Sequence, residues 1–151
     1  MMEIGDKAPD FALRDQNGTL HDSSEIYGRY PIVLFFYPKD HTPGCTQEVC
    51  AFRDVSEDFH ALGCKIYGIS GDNQRSHQRF ATKFNLNYPL LSDKKKQLRR
   101  ALGVPGKLLG LIPGRVTYVI DKNGIIRHIF DSMSNPIGHT EEALKAVKEL
   151  S

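Results

Sequence analysis

Six consecutive residues, Ile32 to Tyr37, read IVLFFY, and Pro38 stops them. Nothing polar interrupts the run. A strand of β-branched and aromatic residues without alternation is buried on both faces, as in the middle of a parallel sheet. Such a strand needs a packed layer on each side, and that requirement points to an α/β architecture. Pro38 cannot donate to a sheet ladder and closes the strand.

The segments around this strand supply the layers. Asn17-Gly18 is a hairpin-turn signal between two short strands. A helix is predicted from Pro43 to Leu62, with Val49, Phe52, Val55 or Ser56, and Phe59 on one apolar face and Gly63 as its stop. Residues 64–70 form a second strand, and residues 74–86 a second helix with Phe80 and Phe84 one turn apart. A short extended piece (88–93), a short helix (94–102) and a Gly/Pro-rich loop (103–114) follow. A strand hairpin turning at Lys122-Asn123-Gly124 and a helix over 139–150, with Thr140 as N-cap, close the chain. The order is a β-hairpin, then βαβα, then ββα. It predicts a thioredoxin-like fold with an added N-terminal β-hairpin and helices on both faces of a mixed sheet. With no repeats and no linker, residues 1–151 are expected to form a single domain.

Composition narrows the partners. Hydrophobic residues make up 40% of the 151, enough for a core, and the net charge of +2 is too small to argue for nucleic acid. The densest basic run, Lys94, Lys95, Lys96, Arg99 and Arg100, reads as a solvated helix face or as a docking patch for an acidic partner. No apolar run reaches the length of a membrane span. The opening MMEIGDKAPD lacks the basic and apolar regions of a targeting peptide. Three cysteines are too few for a disulfide scaffold, so a reducing compartment is expected: the cytoplasm, or the interior of an organelle for a processed form.

Cys45 sits where a helix begins. Thr42 has the side chain of an N-cap, Pro43 suits the first helical position, and Gly44 adds little bulk, which puts Cys45 third. A thiolate there faces unsatisfied backbone N–H groups and the positive end of the helix dipole, the setting in which cysteines become reactive. The Thr42 hydroxyl is near enough to donate to that thiolate or to a bound oxygen. Glu48, one turn on, either tunes the site or is a solvated helix charge.

Cys50 lies five residues further. On an intact helix that offset is a rise of about 7.5 Å and leaves the Cα atoms roughly 8.7 Å apart. Bridgeable cysteines have Cα atoms closer than about 7 Å. The pair therefore suits a protein whose first helical turns unwind after Cys45 has reacted, or else Cys50 is a packing residue and Cys45 acts alone. Cys64, at the start of a strand, reads as packing, with a backup redox role as the alternative. The histidines other than His41, namely His21, His60, His77, His128 and His139, show no ligand spacing and are expected to be structural or at the surface.

The stretch YPKDHTPGCTQEVC resembles the peroxiredoxin signature P-x-x-x-T-x-x-C, filled by Pro38, Thr42 and Cys45. The second cysteine five residues on is similar to the peroxiredoxin Q branch, also called bacterioferritin comigratory protein. GDKAPDFAL, GISGD, YPLLSD and GRVTYVIDKNG resemble that family in the same order. The resemblance implies a thiol peroxidase without metal or cofactor, acting on hydrogen peroxide and organic hydroperoxides. It implies that Cys45 is the peroxidatic cysteine and that Thr42 hydrogen-bonds the peroxide. Pro38 would shield the pocket, and Arg115 would hold positive charge beside the thiolate. It further implies that Cys50 resolves the oxidised Cys45 as an intramolecular disulfide, that a thioredoxin- or glutaredoxin-type reductant recycles it, and that the protein is a monomer. His41 stands where the family more often has an acidic residue; it is either an exposed loop histidine or a weak positive charge favouring the thiolate.

Two rivals remain at this level. A dithiol oxidoreductase normally pairs its cysteines as C-x-x-C, which this offset is not. A metal-binding or redox-sensing protein would use Cys45, Cys50 and a histidine, but the helix spreads the sulfurs apart and no fourth ligand is evident.

Overall fold

The computed structural model describes residues 2–104, 106–107 and 112–150. A five-stranded sheet is built from β3 (Ile32–Phe36), β4 (Lys65–Ser70), β5 (Leu90–Ser92), β8 (Val116–Ile120) and β9 (Ile126–Asp131). Its order is β5-β4-β3-β8-β9. β4 runs parallel to β3 and β5, whereas β8 is antiparallel to β3 and β9. β1 (Ala12–Arg14) and β2 (Leu20–Asp22) form the separate N-terminal hairpin. The helices are α1 (Pro43–Asp54), α2 (Ser56–Ala61), α3 (Gln74–Lys83), α4 (Gln97–Leu102) and α5 (Gly138–Glu149).

β3 is central and buried along its whole length, as its unbroken apolar run requires. Its side chains alternate between two cores. Val33 and Phe35 pack with Val49 and Phe52 of α1, Phe59 of α2, Phe80 of α3 and Val147 of α5. Ile32, Leu34 and Phe36 pack on the other side with Phe11, Ile26, and Leu98 and Leu102 of α4. Phe35 stacks on Phe52 at 4.3 Å between ring centroids, fixing α1 to the sheet. Gly68 in β4 permits this: a Cβ there would lie 2.8 Å from both Phe35 Cζ and Leu90 Cδ2.

Several helix ends differ from the sequence expectation, one through long-range contacts and the others through local caps and turns. The helix predicted over 43–62 breaks at Val55, next to two anchors on the connection between α3 and β5. Arg53 Nη1 donates to the Phe84 carbonyl at 2.7 Å, and Asn87 Nδ2 donates to Ser56 Oγ at 2.8 Å. Ser56 is then buried, and Val55 is half-buried against the core. α3 stops at Lys83 because Asn85 turns left-handed (φ 52°). α4 starts at Gln97 because Asp93 accepts from the N–H groups of Leu98 (3.3 Å) and Arg99 (3.0 Å). α5 starts at Gly138, whose N–H donates to Asn135 Oδ1 (3.1 Å); Thr140 is therefore inside the helix, not its cap. In the Gly/Pro-rich segment 103–114, β6 (Gly106–Lys107) pairs with β7 (Ile112–Pro113). Pro105 and residues 108–111 of the expected loop lie outside the described residues.

Candidate active site

The antiparallel register pairs Phe36, at the end of β3, with Val116, at the start of β8. The segment carrying Cys45 thus emerges beside the segment carrying Arg115, although 70 residues separate them. Thr42 is extended (φ −87°, ψ 152°) and its carbonyl accepts from Thr46 N at 2.9 Å, so α1 starts at Pro43 and Cys45 is third. The Thr42 hydroxyl does not cap the helix. It donates to the Lys39 carbonyl at 2.8 Å, bracing the loop that enters α1. Pro38 is half-buried directly after β3.

Cys45 is 1% exposed, and Arg115 Nη2 lies 3.7 Å from its Sγ. Arg115 is itself buried and held at its other nitrogens. Nη1 donates to Glu48 Oε1 at 2.6 Å and Nε to the Met133 carbonyl at 3.3 Å. Gly44 makes room for the guanidinium: a Cβ there would meet Nη2 at 3.0 Å and Pro136 Cγ at 3.6 Å. A fixed cation and a helix N-terminus together stabilise negative charge on the sulfur and on an oxygen leaving it.

Glu48 is fully buried, so it is not a solvated charge. Burial pushes its carboxyl up to about 8, against the opposing pull of Arg115. Its second oxygen, Oε2, has no hydrogen-bond partner among the described residues. The His139 ring nitrogen Nδ1 is 3.7 Å from it. His139 Nε2 faces the Ser132 carbonyl at 2.7 Å, which only accepts, so Nε2 carries the hydrogen. Nδ1 then accepts from the Thr117 hydroxyl at 2.8 Å. Burial holds this imidazole neutral, down to about 4, with the Arg115 charge acting in the same direction.

The other cysteines separate cleanly. Cys50 is half-buried on the intact α1, with its thiol raised above the ordinary value chiefly by burial. Cys64 is 1% exposed, burial pushes it up to about 12, and it is a packing residue. His41 is exposed, left-handed (φ 65°), and its ring rests on Phe80 at 5.1 Å.

One anchoring group had no signal in the sequence. Asp40 is buried and accepts from the Tyr37 hydroxyl (2.7 Å), the Ser76 hydroxyl (2.8 Å) and His77 Nδ1 (2.7 Å). His77 Nε2 lies 3.0 Å from the Leu91 carbonyl. With Asp40 ionised, both ring nitrogens must donate, and the pair is a buried salt link. Burial works to raise the Asp40 carboxyl, but His77, Tyr37 and Ser76 outweigh it and hold it below the usual range. Asp40, Asp72 and His77 cluster tightly enough for a cation. Their polar atoms are instead taken up by one another, by the tyrosine, the serines and the backbone, and this ties the loop before α1 to α3. Among the described residues, Cys45 and Cys50 with a histidine, the metal-ligand set considered from the sequence, do not come together.

A buried cysteine at a helix N-terminus beside an arginine, on a thioredoxin-like sheet, is an arrangement that thiol-based redox enzymes use. Residues 4–129 match the AhpC/TSA family model, and the chain belongs to that family, in its peroxiredoxin Q branch. It is 49% identical over 144 residues to chloroplastic peroxiredoxin Q of Arabidopsis thaliana, covering 95% of this chain and 66% of the relative. It is 47% identical over 146 residues to that of Oryza sativa subsp. japonica, covering 97% and 67%. The chain thus spans about two thirds of the length of these plant relatives. Among solved structures, the peroxidoxin BcpB of Mycobacterium tuberculosis superposes with a TM-score of 0.91 at 37% identity, covering 100% of this chain and 99% of that one. The bacterioferritin comigratory protein of Xanthomonas campestris gives 0.83 at 29% identity, covering 93% and 91%. The enzyme is a peroxiredoxin-class oxidoreductase, as the signature implied.

Proposed function

We propose that Cys45 is the peroxidatic thiol of a two-cysteine peroxidase. The observation that carries this is the 3.7 Å approach of Arg115 Nη2 to Cys45 Sγ at the start of α1. The Cys45 thiolate attacks one peroxide oxygen. An S–O bond forms, the O–O bond breaks, and the other oxygen leaves as water or alcohol after taking a proton, with a sulfenic acid remaining. Arg115 steadies the charge on the leaving oxygen. Thr42, braced on Lys39, offers its hydroxyl oxygen as an acceptor for the peroxide O–H. Pro38, at the end of β3, keeps water from the pocket.

Cys50 then attacks the sulfenic sulfur, expelling water and forming a disulfide. α1 runs unbroken from Pro43 to Asp54, so this step requires the helix to open between the two cysteines. A dithiol reductant of the thioredoxin or glutaredoxin type restores both thiols. The expected working form is a monomer in a reducing compartment such as the cytoplasm, with no nucleic-acid or membrane partner. Among the described residues, no helix is long and apolar enough to cross a membrane. The alkyl peroxide reduction activity of the Xanthomonas campestris protein supports organic hydroperoxides as substrates beside hydrogen peroxide.

A peptide map after a single equivalent of hydrogen peroxide, with free thiols alkylated, tests the reading. A Cys45–Cys50 disulfide is the expected product. A sulfenic acid persisting on Cys45 with Cys50 alkylated would remove Cys50 from the cycle, and peroxide turnover surviving in Cys45→Ser would remove Cys45.

A further inference from the structure

Arg115 is the one buried cation at the reacting sulfur among the described residues, and two acidic groups compete for it. Nη2 faces Cys45 Sγ at 3.7 Å, and Nη1 faces Glu48 Oε1 at 2.6 Å. Two anions on one buried cation would leave an uncompensated negative charge in a dry site, which is strongly unfavourable. The surroundings of Glu48 decide which group keeps its proton. Glu48 is 0% exposed, and its Oε2 has no hydrogen-bond partner among the described residues. Buried with one oxygen unpartnered, an ionised carboxylate costs far more than a neutral acid with one unpaired hydroxyl. The groups facing it from the packed elements do not provide a donor. His139 on α5 is neutral and its Nδ1 already accepts from Thr117. Tyr88, ahead of β5, spends its hydroxyl on the Val49 carbonyl at 2.6 Å. On α1 itself the titratable neighbour is Cys45, a second potential anion.

We propose that Glu48 works as a protonated acid, leaving the Arg115 charge to the Cys45 thiolate and the peroxide, and that loss of this proton switches the site off. The ionised carboxylate would neutralise the guanidinium it already touches at 2.6 Å and repel the thiolate one helical turn away. The enzyme therefore carries an alkaline switch in its positioning arginine. The direction agrees with the carboxyl being pushed up to about 8 by burial. Glu48 here is a positioning residue, acting through Arg115. The inference rests on the reading of Cys45 as the reacting thiol.

Two measurements test it in reduced protein carrying Cys50→Ser, which stops the cycle at the sulfenic acid. The first is the pH dependence of the single-turnover reaction with hydrogen peroxide. The parent should lose about ten-fold in rate as pH rises from 7 to 9, and Glu48→Gln, which cannot ionise, should stay level over that range. The second is infrared difference spectroscopy. A protonated carboxylic-acid carbonyl band should be present at pH 7, absent in Glu48→Gln, and titrate with the falling limb of the rate. An alkaline limb persisting in Glu48→Gln, or no such band at pH 7, overturns the proposal. If the glutamine variant fails to fold, the parent's band and rate decide by themselves, since they must fall together. Failure of the Cys45 reading appears separately, as peroxide reaction surviving Cys45→Ser, and leaves the infrared result standing.

Discussion

The Tyr88 hydroxyl donates to the Val49 carbonyl at 2.6 Å, in the stretch of α1 between Cys45 and Cys50. Tyr88 is buried and its ring packs edge-on against Phe35. The helix that must open for the two cysteines to meet is thus held from below by a residue far off in sequence. Tyr88→Phe keeps the ring and removes the pin. It should lower stability by about 1 kcal/mol and speed Cys45–Cys50 disulfide formation several-fold. Quenched-flow alkylation after a peroxide pulse reads that rate. An unchanged rate would place the opening elsewhere.

Gly44 is the space into which Arg115 fits. A methyl group at 3.0 Å from Nη2 obliges the guanidinium to give way by about a few tenths of an ångström, off its line to the sulfur. Gly44→Ala should therefore fold with little change in Tm yet react with peroxide about ten-fold or more slowly, the scale expected when one preorganised donor is lost. Tm and stopped-flow rate, measured together, separate the two effects.

Asp40 and His77 hold the loop that delivers Thr42 and Cys45. Asp40→Asn leaves the His77 imidazole buried opposite a neutral amide and removes a charge-assisted bond. A loss of about 2–4 kcal/mol is expected, with faster amide exchange around residues 38–42. Because the folded carboxyl lies below its ordinary 3.8, this contribution is present above that pH and disappears as pH falls through the folded value. Urea unfolding at pH 7 and in acid checks both statements.

Glu48 and His139 impose opposite pH slopes on stability. From 4.5 to about 8 the folded state keeps a proton on Glu48 that the unfolded chain releases, so stability falls as pH rises. From about 4 to 6.5 the unfolded chain protonates His139 while the fold does not, so stability rises with pH. The slopes offset one another between 4.5 and 6.5, giving a plateau, with a decline from 6.5 to about 8. Urea titrations of reduced Cys45→Ser protein should show this shape. Adding Glu48→Gln should remove the decline and leave a rise between about 4 and 6.5.

Much of this was legible in the chain itself. The run IVLFFY determined a doubly covered strand, since no side of it tolerates water, and it became the centre of the sheet. Thr42-Pro43-Gly44-Cys45 determined a helix starting with a cysteine in its first turn, because capping preferences are local. The five-residue offset of Cys50 carried its own geometric consequence. Tertiary structure decided what depends on residues distant in sequence. It chose Arg115 from among the arginines by pairing Phe36 with Val116, and it buried Glu48 where its spacing alone allowed solvent. It also broke the long helix at Val55, where Arg53 and Ser56 are tied to Phe84 and Asn87, 31 residues on. Capping and periodicity act within a turn or two of the chain, whereas burial, desolvation and the company of a buried charge are set only when the sheet brings separate segments together.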